Sequence, residues 1–258
     1  MAEVKVDPDV FWLRIMKLHK TWNAGREKEG LFKGADALAI VTGSANEEEL
    51  YSKSAALQTW LLGYEFPDTC IVICNRSITI LTSPKKVQYL QPLINAENAT
   101  LPLELLASEK KSADKNKSRY EQLVSAIKSS HSGATVACLM KEKSLGEFAN
   151  LWRKELEEDT SLEQVELAPA LADIMAAKDQ TEQACVKRAA IFSAVVMQKH
   201  VVQKLEGVVD EAKKVSHEKL AEETEDVFQE PSKLGVKLSP EFLESCYTPI
   251  IQSGGKFD

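Results

Sequence analysis

The sequence predicts an α/β fold in which a mixed β-sheet is sandwiched by helices, followed by a helical region of a different kind. Three observations predict it. Short apolar runs at 37–41 (ALAIV), 70–74 (CIVIC) and 134–140 are separated by stretches with apolar residues at helical spacing. CIVIC has no polar face, which marks a strand covered on both sides in the middle of a sheet. Beyond residue 174 the strand-like runs give way to long helical patterns, so the chain divides into 1–174 and 175–258.

The elements follow in order. Asp7-Pro8 opens a helix, with Asp7 as cap and Pro8 in the first turn, and the helix ends near Asn23-Ala24-Gly25. Residues 25–36 are a polar loop before the first strand, which Thr42-Gly43-Ser44 closes. Ala55, Leu57, Trp60, Leu61 and Tyr64 make the apolar face of a second helix, stopped by Gly63 and Pro67. Asn75-Arg76 is then the tip of a hairpin between CIVIC and Ser77–Leu81. Ser83-Pro84 starts a helix through Val87, Leu90 and Leu93. Residues 100–106 form a strand that Pro102 pushes to an edge. Residues 107–119 read as a lysine-rich solvated loop, 120–127 and 145–156 as helices, and 165–167 as a last short strand. Strands separated by helices imply a largely parallel sheet, with the hairpin as its antiparallel pair. After a short helix at 169–177 and a hinge at 178–180, residues 181–213 read as one long, broadly apolar helix. Ser216 caps another helix, and 247–251 is a lone β-type run.

Composition narrows the function. The chain has 258 residues and a formal net charge of −7, and neither portion is basic, so strong direct DNA binding is disfavoured. No apolar run approaches the roughly 20 residues of a membrane span, and no secretory signal opens the chain. Five cysteines without paired short spacings read as reduced core thiols.

Catalytic patterns are missing. His19, His131, His200 and His217 are scattered, and no His-Glu-x-x-His, Gly-x-Ser-x-Gly or Cys-x-x-Cys occurs. Thr42-Gly43-Ser44 lacks the further glycines and the lysine of a phosphate loop. Ser44, Ser130 and Ser253 have no partner at sequence level, and no carboxylate lies in an evident apolar pattern. These readings assign no catalytic, cofactor or metal residue. The remaining feature is acidic: Glu218, Glu222, Glu223, Glu225, Asp226 and Glu230 gather on and just after the helix capped by Ser216. Such a face is either solvated or a dock for a basic partner.

The opening DPDVFWLRI, the stretch LLGYEFPDTCIVICNRSITILTS and the closing CYTPIIQSGGKFD resemble the N-terminal domain of the large subunit of the histone chaperone FACT. The resemblance runs in order along nearly the whole chain. It implies a fold similar to aminopeptidase P and creatinase: a ribonuclease-H-like lobe over 1–174, then the helical start of a pita-bread lobe over 175–258, truncated at Asp258. It also implies a module without catalysis or cofactor, because FACT proteins have lost the peptidase metal ligands. The implied partners are core histones, replication and transcription factors and, through regions absent here, the small HMG-box-type subunit of FACT. The implied place is the nucleus and chromosome, and the implied role is nucleosome reorganisation in transcription, replication and repair. The alternative is the first lobe of a metal-dependent enzyme of the aminopeptidase P or creatinase type.

Overall fold

A computed structural model describes residues 4–45, 52–109 and 113–254. The chain falls into two compact units, 1–177 and 178–258. The first unit is built on a six-stranded sheet of β1 (Ala37–Thr42), β2 (Thr69–Cys74), β3 (Ile78–Thr82), β4 (Leu103–Ala107), β5 (Thr135–Cys138) and β6 (Glu163–Glu166), in the order β4-β3-β2-β1-β5-β6. Its helices are α1 (Pro8–Ala24), α2 (Lys53–Leu62), α3 (Pro84–Leu90), α4 (Ala113–Lys128), α5 (Glu147–Glu158) and α6 (Ala168–Ala176).

Strand alternation sorts the core into two layers. Ile71 and Ile73 of β2 face a cluster with Phe11, Trp12 and Ile15 of α1, Trp60 and Leu61 of α2 and Leu171 of α6. Cys70, Val72 and Cys74 face the other way, onto Tyr120 and Leu123 of α4 and Trp152 and Leu156 of α5. All six residues of β2 are buried, as an apolar run without a polar face requires.

The sheet is mixed, and β2 makes it so. It runs antiparallel to β3 and also to β1, while β1–β5, β3–β4 and β5–β6 are parallel. The antiparallel character therefore extends one strand beyond the hairpin. β4 is an edge strand, and Pro102 stands just before it: its C=O accepts from Ile78 N at 2.9 Å, while the N–H it lacks would fall before the first paired residue of β4.

Local chemistry sets the helix ends. Asp7 accepts from Asp9 N at 2.9 Å and Val10 N at 3.3 Å. Gly63 closes α2 at φ 76°, a left-handed position that glycine occupies without strain. Thr42-Gly43-Ser44 is a packed crossing: Ser44 N donates to Leu145 O at 2.8 Å, and a Cβ on Gly43 would sit 2.2 Å from Leu145 O. Glu142 closes the same end of the sheet. Its carboxylate accepts from Lys53 N at 2.7 Å, from Ser54 N and from Ser54 Oγ, neutralising donors at the N-terminus of α2.

Several expectations are corrected. The loop assigned to 107–119 ends earlier, because α4 already begins at Ala113 and charged residues supply its first turns. Its stretch at 110–112 lies outside the described residues. Of the five cysteines, Cys70, Cys74 and Cys138 are core thiols, but Cys185 and Cys246 are exposed. Burial pushes the Cys74 thiol up to about 11 and that of Cys138 to about 12. His19 is half-buried, its Nε2 3.0 Å from Asn75 O at the hairpin tip.

One carboxylate does lie in a buried setting. Asp36, 1% exposed, accepts from Ser132 Oγ at 2.6 Å, Ala134 N at 2.9 Å and Thr135 N at 3.1 Å, and pairs with Arg26 Nη2 at 2.7 Å. Burial opposes its ionisation, but the bonds from Ser132, Ala134 and Thr135 outweigh that and hold its pKa below the ordinary carboxylate value.

Replacing Asp36 with alanine leaves these donors and Arg26 without their acceptor, and is expected to cost about 3 kcal/mol. Urea unfolding of the two proteins measures it. Because folding lowers this pKa, the advantage of wild type over Asp36→Asn holds above the unfolded value of about 4 and shrinks as pH falls below it. A constant gap between the two proteins through that range would contradict the assignment. Thiol titration at mildly alkaline pH should count two reactive cysteines in the native protein and five after denaturation; five in the native state would show that the core thiols are accessible.

Candidate partner-binding surface

The acidic residues lie in the second unit, whose elements are α7 (Gln180–Val196), a π-helical turn (Met197–Val201), α8 (Val202–Asp210) and α9 (His217–Asp226). Asp179 and Glu182 form a reciprocal capping box at the start of α7: Asp179 Oδ1 accepts from Glu182 N at 2.8 Å, and Glu182 Oε2 from Asp179 N at 3.0 Å. The helix expected over 181–213 thus holds a π-turn and ends at Asp210. A π-turn fits one extra residue into the helical ladder and rotates the side chains that follow.

The second unit has a small core of Phe192, Val196, Leu220 and Ala221, with the Phe192 and Phe228 rings edge-on at 5.2 Å. Much of the apolar face of α7 and α8 stays outside it: Val186, Ile191, Met197 and Val209 are more than half exposed. Residues 247–251 form no strand; they run as irregular chain, and no strand of the described residues pairs with them.

Ser216 caps α9 by accepting from Lys219 N at 3.2 Å. Leu220, Ala221 and Thr224 are its buried face. Glu218, Glu222, Glu225 and Asp226 recur at i, i+4, i+7 and i+8, so they form one exposed stripe opposite that face. The other two nominated residues are engaged internally. Glu223 meets Lys204 Nζ of α8 at 2.9 Å, and this bond, opposed by burial, holds its pKa below the usual value. Glu230 pairs with Lys233. The available stripe is therefore four carboxylates, able to accept from lysine or arginine donors.

A cleft of about 500 Å³ opens beside the stripe, lined by His200, Lys204, Glu223, Asp226, Val227 and Lys233 among others. His200 belongs to the π-turn. Burial, then Lys204, lowers its pKa, with Glu223 opposing. Sequence spacing could have shown the Glu230–Lys233 pair, three residues apart on one turn. It could not show Lys204 against Glu223, which meet only because α9 folds back on α8.

The isolated serines also find partners. Ser130 Oγ donates to Asp36 O and accepts from Asn75 N at 2.9 Å. Ser253 Oγ lies 2.8 Å from His217 Nε2 on the exposed surface. Among the described residues, no group of three or more His, Cys, Asp or Glu side chains could hold a metal ion. No helix among them is long and apolar enough to cross a membrane.

The chain is 33% identical to the FACT complex subunit SPT16 of Dictyostelium discoideum, over 99% of this chain and 24% of that protein. Identity to the FACT complex subunit SPT16 of Arabidopsis thaliana is 36%, over 98% of this chain and 24% of that protein. The chain thus spans about a quarter of the length of these curated relatives. The solved N-terminal domain of FACT complex subunit SPT16 from Cicer arietinum superposes with a TM-score of 0.88 at 34% identity, over 98% of this chain and 58% of that one. A Xaa-Pro dipeptidase from Bacillus anthracis shares the fold at a TM-score of 0.50 and 11% identity, over 83% of this chain and 48% of that one. The family described as FACT complex subunit SPT16 N-terminal lobe domain matches residues 6–170. By that match, which takes in the whole six-stranded sheet, the chain belongs to the FACT complex subunit SPT16 N-terminal lobe family.

Proposed function

We propose that this chain is a non-catalytic, peptidase-like module of a FACT complex in the nucleus, which holds core histones or other chromatin factors while nucleosomes are reorganised. Family membership carries the reading, since the relatives matched along nearly the whole chain are FACT complex subunits. The partners extend to replication and transcription factors, and the small HMG-box-type subunit joins through other parts of the protein. Residues 175–258 are the opening of a pita-bread lobe, and the apolar side chains left outside the small core of the second unit support that assignment.

The stripe of Glu218, Glu222, Glu225 and Asp226 supports a basic partner. Histone lysines and arginines meet carboxylates through charge-assisted hydrogen bonds, which are strong when formed and weakened by salt. Each exposed pair contributes only about 0.2–1 kcal/mol, so binding through this stripe is shared among the four.

The test is a pull-down of core histones by the full chain at low and at moderate salt. Binding should fall with salt. The variant carrying Glu218→Gln, Glu222→Gln, Glu225→Gln and Asp226→Asn should bind about tenfold more weakly, as four such pairs together imply. No histone bound at either salt would overturn the reading, as would manganese-dependent peptide cleavage by the purified chain.

A further inference from the structure

The sheet of the first unit ends at β6, and no strand among the described residues lies beyond it. Glu163 N donates to Ala134 O at 2.7 Å and Leu167 N to Cys138 O at 2.9 Å, so the odd-numbered residues face β5. By strand alternation, Gln164 and Glu166 turn their main-chain N–H and C=O groups outward. A row of such groups is a template for another extended chain.

The chain leading into this edge is mainly acidic, although Lys53 and Lys141 stand near Glu166. Residues 155–166 hold six acidic side chains and no basic one. Glu158 and Asp159 are paired with Lys154 and Lys128. Glu163 and Glu157 are exposed, and Glu166 keeps a buried oxygen, Oε2, that accepts no hydrogen bond. A cleft of about 180 Å³ opens on the α5 face of the sheet, over β1 and β5, and reaches β6 at Gln164; Trp152 and Leu156 wall it and Glu157 is on its lining. Arg153 also lines it, but its guanidinium is held by Asn150 Oδ1 and Ser144 O at 3.2 Å each. An apolar wall with a carboxylate on its lining suits a lysine or arginine, whose aliphatic stem packs while its charged end pairs. The opposite edge, β4, carries one acidic residue, Glu104, among apolar ones.

We propose that the outer edge of β6 docks an extended, lysine- or arginine-bearing segment of a partner protein, which adds to the sheet as a further strand. Main-chain bonds to Gln164 and Glu166 hold it, and the acidic rim selects its charge. Like charge keeps a second copy of the same edge away. The basic partner agrees with the function proposed above, but the surface is a different one and stands on its own geometry.

The probe is a synthetic peptide of about ten residues, a strand's length, alternating lysine and threonine. Its comparators are a glutamate–threonine counterpart and a lysine–threonine peptide N-methylated at every second residue. The full chain should bind the first, and hydrogen exchange should slow at the amides of Gln164 and Glu166. N-methylation in the register that blocks the ladder should weaken binding by about tenfold, the cost of one or two main-chain bonds. Gln164→Pro should do the same, since it removes an outward donor without touching the bonds to β5; the methylated peptide on unaltered protein stands independently if that variant does not fold. Equal binding of the methylated or the glutamate peptide, or no protection at Gln164 and Glu166, overturns the proposal. Histones that still need the α9 stripe while the lysine peptide leaves β6 unprotected would defeat this inference alone. Protection of β6 by the lysine peptide in a chain that binds no histone would support it and defeat the other reading.

Discussion

The first unit depends on one carboxylate. Asp36 sits where the polar loop after α1 enters β1, and its acceptors reach across to Ser132, Ala134 and Thr135, where the chain enters β5. Arg26 ties in the loop itself, and Trp22 and Arg26 both donate to the neighbouring Ala35 O. One ionised side chain thus fixes the register at which two strands, distant in sequence, become parallel neighbours. The cost of burying the charge is met by several short donors at once, the condition under which a buried charge stabilises a fold.

Much of this architecture was legible from local signals. The Asp7-Pro8 start, the Gly63 stop and the unbroken apolarity of CIVIC each act within a few residues, and each sits where the sequence placed it. Pro102 marked the strand after it as an edge, and β4 is one, although the proline itself stops just short of the ladder. What spacing could not reveal was chemistry between distant segments. Asp36 reads as an ordinary loop aspartate until Ser132 stands beside it, and Glu142 as a solvated residue until α2 presents its first N–H groups. The β-type composition of 247–251 misled for the converse reason, since a strand needs a neighbour and composition supplies none.

The acidic helix shows the same division. Its cap and its stripe follow from spacing alone, whereas the internal engagement of Glu223 depends on Lys204 of another helix. Of the six acidic residues that stood out in the sequence, Glu223 and Glu230 pair with lysines of the same unit, and the other four make the exposed stripe. The second unit therefore spends part of its negative charge on its own cohesion and offers the rest, on α9, to whatever approaches.

The pairing of β1 with β5 also has a consequence for the order in which the chain matures. β2 and β3 are joined by a tight tip and meet at once, but β1 waits through roughly 90 residues for its parallel neighbour, and such a closure is slow because its entropy is lost before any contact forms. On the ribosome the hairpin and β1 emerge first, and Asp36 remains an ordinary hydrated aspartate until the segment around Ser132 clears the exit tunnel. Only then does the sheet acquire its last two strands, so the late arrival of a few main-chain amides times the completion of the whole unit.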